Sequence, residues 1–224
     1  VCARLDDLIA QGGERLTDWA GHQELAEVIL DGEPDAILDA LCGLVRDGVP
    51  LVDLSSAVAY AAARRLVHFH ISNEFGDWDT VHHTFTYTSA VDQAMRRAPS
   101  ALLARGIFDG AMSVYLERFL NIPKQPAPRP ASRPVTTADL LALFDTQGRV
   151  DESAQIVAEL LAAKRHEEVV KALGHALLRE DAGFHQFQIY EAGLRQYKRF
   201  AGSPLSDHVL IGVTRFLTAH SPTV

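Results

Sequence analysis

The sequence predicts an all-α protein, a helical bundle of two related halves joined by a proline-rich crossover. Apolar residues recur at helical spacing along most of the chain, and the alternation typical of strands is almost absent. Five prolines fall within residues 122–134, where they exclude a continuous helix and favour an extended connector. We therefore expect one all-helical domain, 1–224, with halves 1–121 and 135–224 and a linker at 122–134.

In the first half, apolar spacing and start signals together predict the helices. Pro34 suits a first helical turn, and Asp53 is a candidate N-cap for the alanine-rich segment that follows. Asn73, Gly76 and Asp77 interrupt the pattern and predict a turn. The expected helices cover 35–46, 54–69, 80–97 and 99–120.

The second half restarts after the prolines. Thr137 is a candidate cap for its first helix, since a threonine hydroxyl can accept from a free backbone N–H of the first turn. Helical spacing then continues to the end of the chain. The expected helices cover 138–144, 152–164, 167–181, 185–200 and 205–219.

Composition narrows the classes of function. The chain has 224 residues, of which 47% are apolar and 22% charged, with a net charge of −8. An acidic chain without a basic stripe argues against nucleic-acid binding, and no uninterrupted apolar run suits a membrane span. The only cysteines, Cys2 and Cys42, form no CxxC motif, so a reducing, cytoplasmic location is expected.

Histidine occupies matching positions in two short related strings. The strings His-Thr-Phe-Thr and His-Gln-Phe-Gln begin at His83 and His185, and in both an alanine follows seven residues after the histidine. His70 and His175 lie upstream in the two copies. If the halves pack about a pseudo-twofold axis, these four histidines converge, and imidazole is the commonest metal ligand in proteins.

Carboxylates accompany both strings. Asp79 and Asp181 each lie four residues before the repeated histidine, so each pair shares a helix face. Such carboxylates are equally typical of first-turn residues that stabilise the helix dipole, and a lone helical histidine is usually an ordinary hydrogen-bonding group. His82 and His83 diverge by about 100 degrees on a helix, so only one is expected to face the site, and the repeat favours His83.

The predicted metal set follows from these patterns. His70, His83 and His185 are the expected ligands, and His82, His175, Asp79 and Asp181 are further ligands or neighbours of the ligands. Imidazole with carboxylate suits Fe, Mn or Zn, and the lack of a thiolate motif disfavours an iron–sulfur site.

Two segments resemble helices of a known family. Residues 79–90 look like the Val-His-His helix of questin oxidase-like proteins, which are all-helical. A second family helix resembles the segment in which His185 and Glu191 match its second histidine and its later glutamate. Asp79 and Asp181 stand where that family has histidines. The resemblance implies a non-haem iron oxygenase that cleaves polycyclic quinones, here with a mixed histidine–carboxylate site.

A wider resemblance covers most of the chain. Residues 73–80 and 179–185 carry a similarity to the helical region that accompanies Rieske-type iron–sulfur domains in some bacterial proteins. No Rieske cysteine–histidine motif occurs in the sequence. This resemblance implies that the cluster belongs to another part of the polypeptide, and it makes an electron-transfer domain a candidate partner.

The leading hypothesis is a non-haem metal oxidoreductase that acts on a small aromatic or quinone-like substrate. Iron is the expected ion, with zinc or manganese as alternatives. The main alternative is a non-catalytic helical module that docks an iron–sulfur or electron-transfer partner through a large apolar surface. A third reading is a structural metal domain, which would keep no open coordination position.

Overall fold

A computed structural model describes residues 5–13, 15, 16 and 18–223, so Cys2 lies outside the described residues. This described part is helical and contains no strand, which confirms the predicted all-α bundle. None of its helices is long and apolar enough to cross a membrane. Its helices are α1 (Leu5–Gly12), α2 (His22–Asp31), α3 (Pro34–Asp47), α4 (Leu51–Val67), α5 (Phe75–Arg97), α6 (Ala101–Leu116), α7 (Thr137–Leu143), α8 (Val150–Ala162), α9 (His166–Arg179), α10 (Phe184–Arg199) and α11 (Leu205–Ala219).

Local side-chain chemistry fixes several helix ends. The Ser100 hydroxyl accepts from the Leu103 N–H at 3.1 Å and begins α6. Thr136 and Asp139 form a reciprocal capping box at the start of α7, so the cap lies one residue before the predicted Thr137. Asp53 was predicted to cap α4 but lies inside its first turn, where its carboxylate interacts favourably with the helix dipole.

The chain forms two compact units. Unit 1 comprises Val1–Ala62 and His83–Phe119, and unit 2 comprises Ala63–His82 and Leu120–Val224. The boundaries therefore differ from those of the predicted halves, because a segment of about one helix and a loop groups with the C-terminal part of the chain. As a result, α4 and α5 each contribute residues to both units.

Unit 1 contains a buried polar pair inside an otherwise apolar core. Asp92 on α5 is fully buried, and it accepts hydrogen bonds from the Ser55 hydroxyl at 3.2 Å and from Arg96 Nε at 3.3 Å. Gly48 ends α3 in the left-handed region at φ 87°, a conformation that glycine adopts without steric cost.

Unit 2 is organised around α11, which packs against α8, α9 and α10. Arg215 on α11 is almost fully buried. Its guanidinium donates to Asp151 Oδ1 at 2.6 Å and to the Phe69 carbonyl at 2.7 Å, and its pKa is lowered by burial. These two bonds pair the buried cation with a carboxylate and connect the loop after α4 to α11.

A buried carboxylate binds the backbone of the proline-rich linker. No helix occurs between Asn121 and Thr136, as the prolines predict. Glu159 of α8 is buried, and it accepts from the backbone N–H groups of Ala131 at 2.8 Å and Arg133 at 3.3 Å. These backbone hydrogen bonds lower the pKa of the Glu159 carboxyl, because they favour its charged form.

Candidate metal centre

His82 occupies the buried face of α5. Its side chain is fully buried, and its ring lies between two other rings of unit 2. The ring centroid is 4.9 Å from that of Phe216, in a stacked arrangement, and 5.0 Å from that of His185. Residues from α5, α10 and α11 therefore meet at His82.

Three histidines bring ring nitrogens together. One nitrogen from each of His82, His83 and His185 lies within 4.8 Å of the others, and we name these residues the histidine cluster. His83 is exposed and His185 is partly buried, so the cluster runs from the core towards solvent. Imidazole donors without a thiolate suit divalent transition ions such as zinc, iron, copper or nickel.

The sequence predicts that only one of the adjacent residues His82 and His83 faces the site, and this expectation is not met. His82 and His83 both contribute a nitrogen, and His82, not His83, is the buried one. The 100-degree divergence applies to Cβ positions along the helix. Two rotatable side-chain bonds and the length of the imidazole let the ring nitrogens of neighbours approach in spite of it.

Asp79 lies one turn before the cluster on α5. Its Oδ1 is 3.3 Å from His185 Nδ1 and 3.4 Å from His220 Nε2. This oxygen has almost no exposed surface, and neither contact has hydrogen-bond geometry. Asp79 faces Nδ1 of His185, so the metal donor of this ring would be its other nitrogen, Nε2. A carboxylate beside the second nitrogen of a ligating histidine is a recurrent support for metal sites.

His220 is a neighbour that sequence reasoning missed. It lies just after α11, and its Nδ1 donates to the Phe216 carbonyl at 2.9 Å, which leaves Nε2 directed at Asp79. The His220 ring also stacks on Phe216 with centroids 4.2 Å apart. No spacing in the sequence signals this role, because only tertiary packing brings the end of α11 to the start of α5.

Three of the predicted site residues lie elsewhere. His70 is in the loop before α5, where its Nδ1 is 2.8 Å from the Ser72 hydroxyl. His175 is on the exposed face of α9. Asp181 is exposed before α10, and its backbone N–H donates to the Thr223 hydroxyl at 3.0 Å. Of the four histidines expected to converge, His83 and His185 come together, whereas His70 lies in a loop and His175 on the exposed face of another helix.

Two adjoining cavities of unit 2 lie beside this region. The first cavity has a volume of about 630 Å³ and the second about 390 Å³. Phe75, Gln147 and Ala219 line both of them. His220 lines the second cavity and also faces Asp79, so one residue connects a solvent-accessible space with the surroundings of the histidine cluster.

A scan of the chain against protein-family models, together with searches of curated proteins and of solved structures, found no match. The resemblance to questin oxidase-like proteins and to the Rieske-associated helical region therefore stays a prediction from the sequence. The candidate site depends on the geometry of the described residues, namely the histidine cluster and its neighbours Asp79 and His220.

Proposed function

We propose that this protein is a metal-dependent enzyme of the non-haem type, with His82, His83 and His185 as the ligands of a divalent ion. The observation that carries the proposal is the approach of three ring nitrogens to within 4.8 Å of one another. Three protein ligands leave at least one coordination position open, which is typical of catalytic and not of structural metal sites.

The neighbouring residues have supporting roles in this proposal. Asp79 orients His185 by facing its Nδ1, and Nε2 of His220 lies on the other side of the same carboxylate oxygen. When bound, the ion would supply Lewis-acid or redox chemistry at its open position. The protein's own contribution is to fix the ligands and to surround His82 with the apolar ring of Phe216.

Iron and an oxidoreductase activity are the specific form of the proposal. They are favoured by the resemblance to questin oxidase-like proteins, whereas the donor set itself suits zinc equally well. Manganese is the least suited of the three, because it prefers oxygen donors to imidazole. A small aromatic or quinone-like substrate would find an apolar wall at Phe75, which is 60% exposed and lines both cavities.

Metal analysis of the purified chain tests the proposal. Protein prepared without chelators, and protein reloaded with Fe(II) under anaerobic conditions or with Zn(II), is expected to hold about one ion per chain by elemental analysis. His82→Ala and His185→Ala should lose most of it, whereas His175→Ala, an exposed histidine outside the cluster, should retain it. Unchanged metal content in the first two variants, with native circular dichroism, would overturn the proposal.

A second candidate function is docking of an electron-transfer partner. Phe184 and Phe187 lie one turn apart on α10 and are 64% and 48% exposed. The Phe184 ring is 4.3 Å from that of His185, so an apolar surface borders the histidine cluster. Exposed aromatic pairs are typical of protein interfaces. Stable copurification of a redox protein, lost in Phe184→Ser, with no stoichiometric metal on this chain, would favour this second function.

A further inference from the structure

Phe75 forms an exposed aromatic wall at the start of α5. Its ring is 60% exposed, although it lies 5.4 Å from the ring of His220, and it faces the first cavity. The other apolar walls of this cavity are Ile71, Trp78, Val150 and Ala219. A concave space of about 630 Å³ with apolar walls has the size and character of a small-molecule site.

The only formal charge among the described residues that line the first cavity is negative. Among the described residues that line it, Glu74 alone carries a formal charge, and no lysine or arginine is present. The whole chain adds a background of −8. An anionic ligand would meet repulsion there, while a cation would meet both a carboxylate and the negative face of an aromatic ring.

We propose that the first cavity binds a planar aromatic amine in its cationic form. The aromatic part lies against Phe75 and the apolar walls, and the ammonium group pairs with the Glu74 carboxylate. This combination supplies apolar burial, a charge-assisted hydrogen bond and a cation–π contribution at one place. None of the lining residues belongs to the histidine cluster, so amine binding does not depend on the proposed metal.

Three naphthalene compounds that carry a cationic, a neutral or an anionic substituent test the proposal. The probes are 2-naphthylmethylamine, the neutral 2-naphthalenemethanol and the anionic 2-naphthoate, titrated into metal-free full-length protein at pH 7 and low salt by calorimetry. The amine is expected to bind at least about tenfold tighter than the carboxylate, with the alcohol between them. Phe75→Ala should weaken the binding of the amine and of the alcohol.

The carboxylate is tested by Glu74→Gln, which keeps the size of the side chain. Glu74 takes part in the start of α5 through its backbone: its N–H donates to Asp77 Oδ2 at 3.2 Å, and its carbonyl accepts from the N–H groups of Asp77 and Trp78, so the variant should fold. It should bring the amine close to the alcohol in affinity. Glu191→Gln removes an exposed carboxylate that lines neither the first nor the second cavity, and it should leave the preference unchanged.

Two outcomes would overturn the proposal: wild-type protein that binds the amine no better than the carboxylate, or a preference that survives in Glu74→Gln. His185→Ala separates this proposal from the metal proposal. That variant should lose metal but keep amine binding. Metal binding without amine binding would contradict only the proposal for the first cavity, and amine binding without metal would contradict only the metal proposal.

Discussion

Asp79 places one shielded carboxylate oxygen between the rings of His185 and His220. If the histidine cluster holds an ion, this carboxylate stabilises the orientation of His185 and increases the donor strength of its other nitrogen. Asp79 then matters to metal affinity although it does not itself bind the ion. Substitutions of Asp79 and of Asp181 should therefore differ in their effect on metal affinity, although the two aspartates are equivalent in the sequence pattern.

Asp79→Asn is expected to weaken metal binding by about 10- to 100-fold, because the amide removes the charge that faces His185 Nδ1. Competition with a chelator of known affinity measures the change. The control is Asp181→Asn, which alters an exposed carboxylate outside the cluster and should leave the affinity unchanged. Equal affinities in the two variants would contradict the supporting role of Asp79.

Acid stability should depend on two other histidines of unit 2. Burial is the main cause that lowers the pKa of His68 to about 4 and of His208 to about 4, from an ordinary value of 6.5, and Arg64 lowers both further. The unfolded chain therefore binds these protons more readily than the folded chain. The free energy of unfolding should be fully retained above pH 6.5 and fall as the pH drops from 6.5 towards 4.

Urea unfolding at pH 7.5 and pH 5 checks this dependence. The wild type should be less stable at pH 5, and His208→Gln should show a smaller difference, because it removes one of the two groups whose pKa is lowered in the folded protein. His175→Gln, at an exposed position, should behave as the wild type. A variant with the full wild-type difference would show that His208 does not contribute.

Helical spacing predicts only part of the candidate metal centre. Spacing along α5 singles out Asp79, His82 and His83, because helical geometry is local. The contact of His82 with His185, and of Asp79 with His220, depends on packing between residues more than a hundred positions apart. The repeat favours His83 as the inward residue, whereas the packing against Phe216 buries His82.

At the scale of elements, glycine permits one close approach of helices in unit 2. A Cβ on Gly212 would lie 3.0 Å from the Ala63 carbonyl oxygen and 3.1 Å from Leu66 Cβ, and neither neighbour can move easily. Gly43 on α3 has open space at the same position. Alanine substitutions at the two glycines therefore distinguish the effect of helix packing from that of helix propensity.

Gly212→Ala is expected to destabilise the protein by about 1–3 kcal/mol, because an extra methyl group forces α11 away from the end of α4. Gly43→Ala should instead stabilise it by up to about 1 kcal/mol, since alanine loses less backbone entropy than glycine in a helix. Chemical denaturation measures both. A neutral Gly212→Ala would mean that the helices separate without loss of packing.

Helix positions were the most predictable elements. Apolar spacing predicts 205–219 for α11, and the structure has Leu205–Ala219; other helices agree to within a few residues, except that α5 begins earlier than expected. Helices α1 and α2 were not predicted, because their short apolar patterns lie among polar and glycine residues. The capping residues were harder to predict, since neighbouring residues such as Thr136 and Thr137 are equally suitable as an N-cap.

At the scale of the whole molecule, unit 2 is built from two separate stretches of chain, Ala63–His82 and Leu120–Val224. The second stretch alone would lack the Phe69 carbonyl that accepts from Arg215, and also Asp79 and His82. Sequence reasoning places the boundary at the prolines, because composition marks a linker but does not reveal which earlier helix packs after it.

A fragment of residues 120–224 is therefore expected to unfold without a cooperative thermal transition, since its buried faces have lost their partners. Addition of a fragment of residues 1–119 should restore the transition and the helical circular dichroism. The uncut chain serves as the reference. A sharp transition in the 120–224 fragment alone would show that the C-terminal half folds without the earlier stretch.

The bond between Arg215 and the Phe69 carbonyl, which spans 146 residues, also bears on how the chain is made. At about 5–20 residues per second of translation, Phe69 is synthesised roughly 7–30 s before Arg215. Throughout that interval the apolar side chains of Leu66 and Trp78 are not yet covered by the helices that later bury them. The nascent chain should therefore depend on chaperones until α11 emerges.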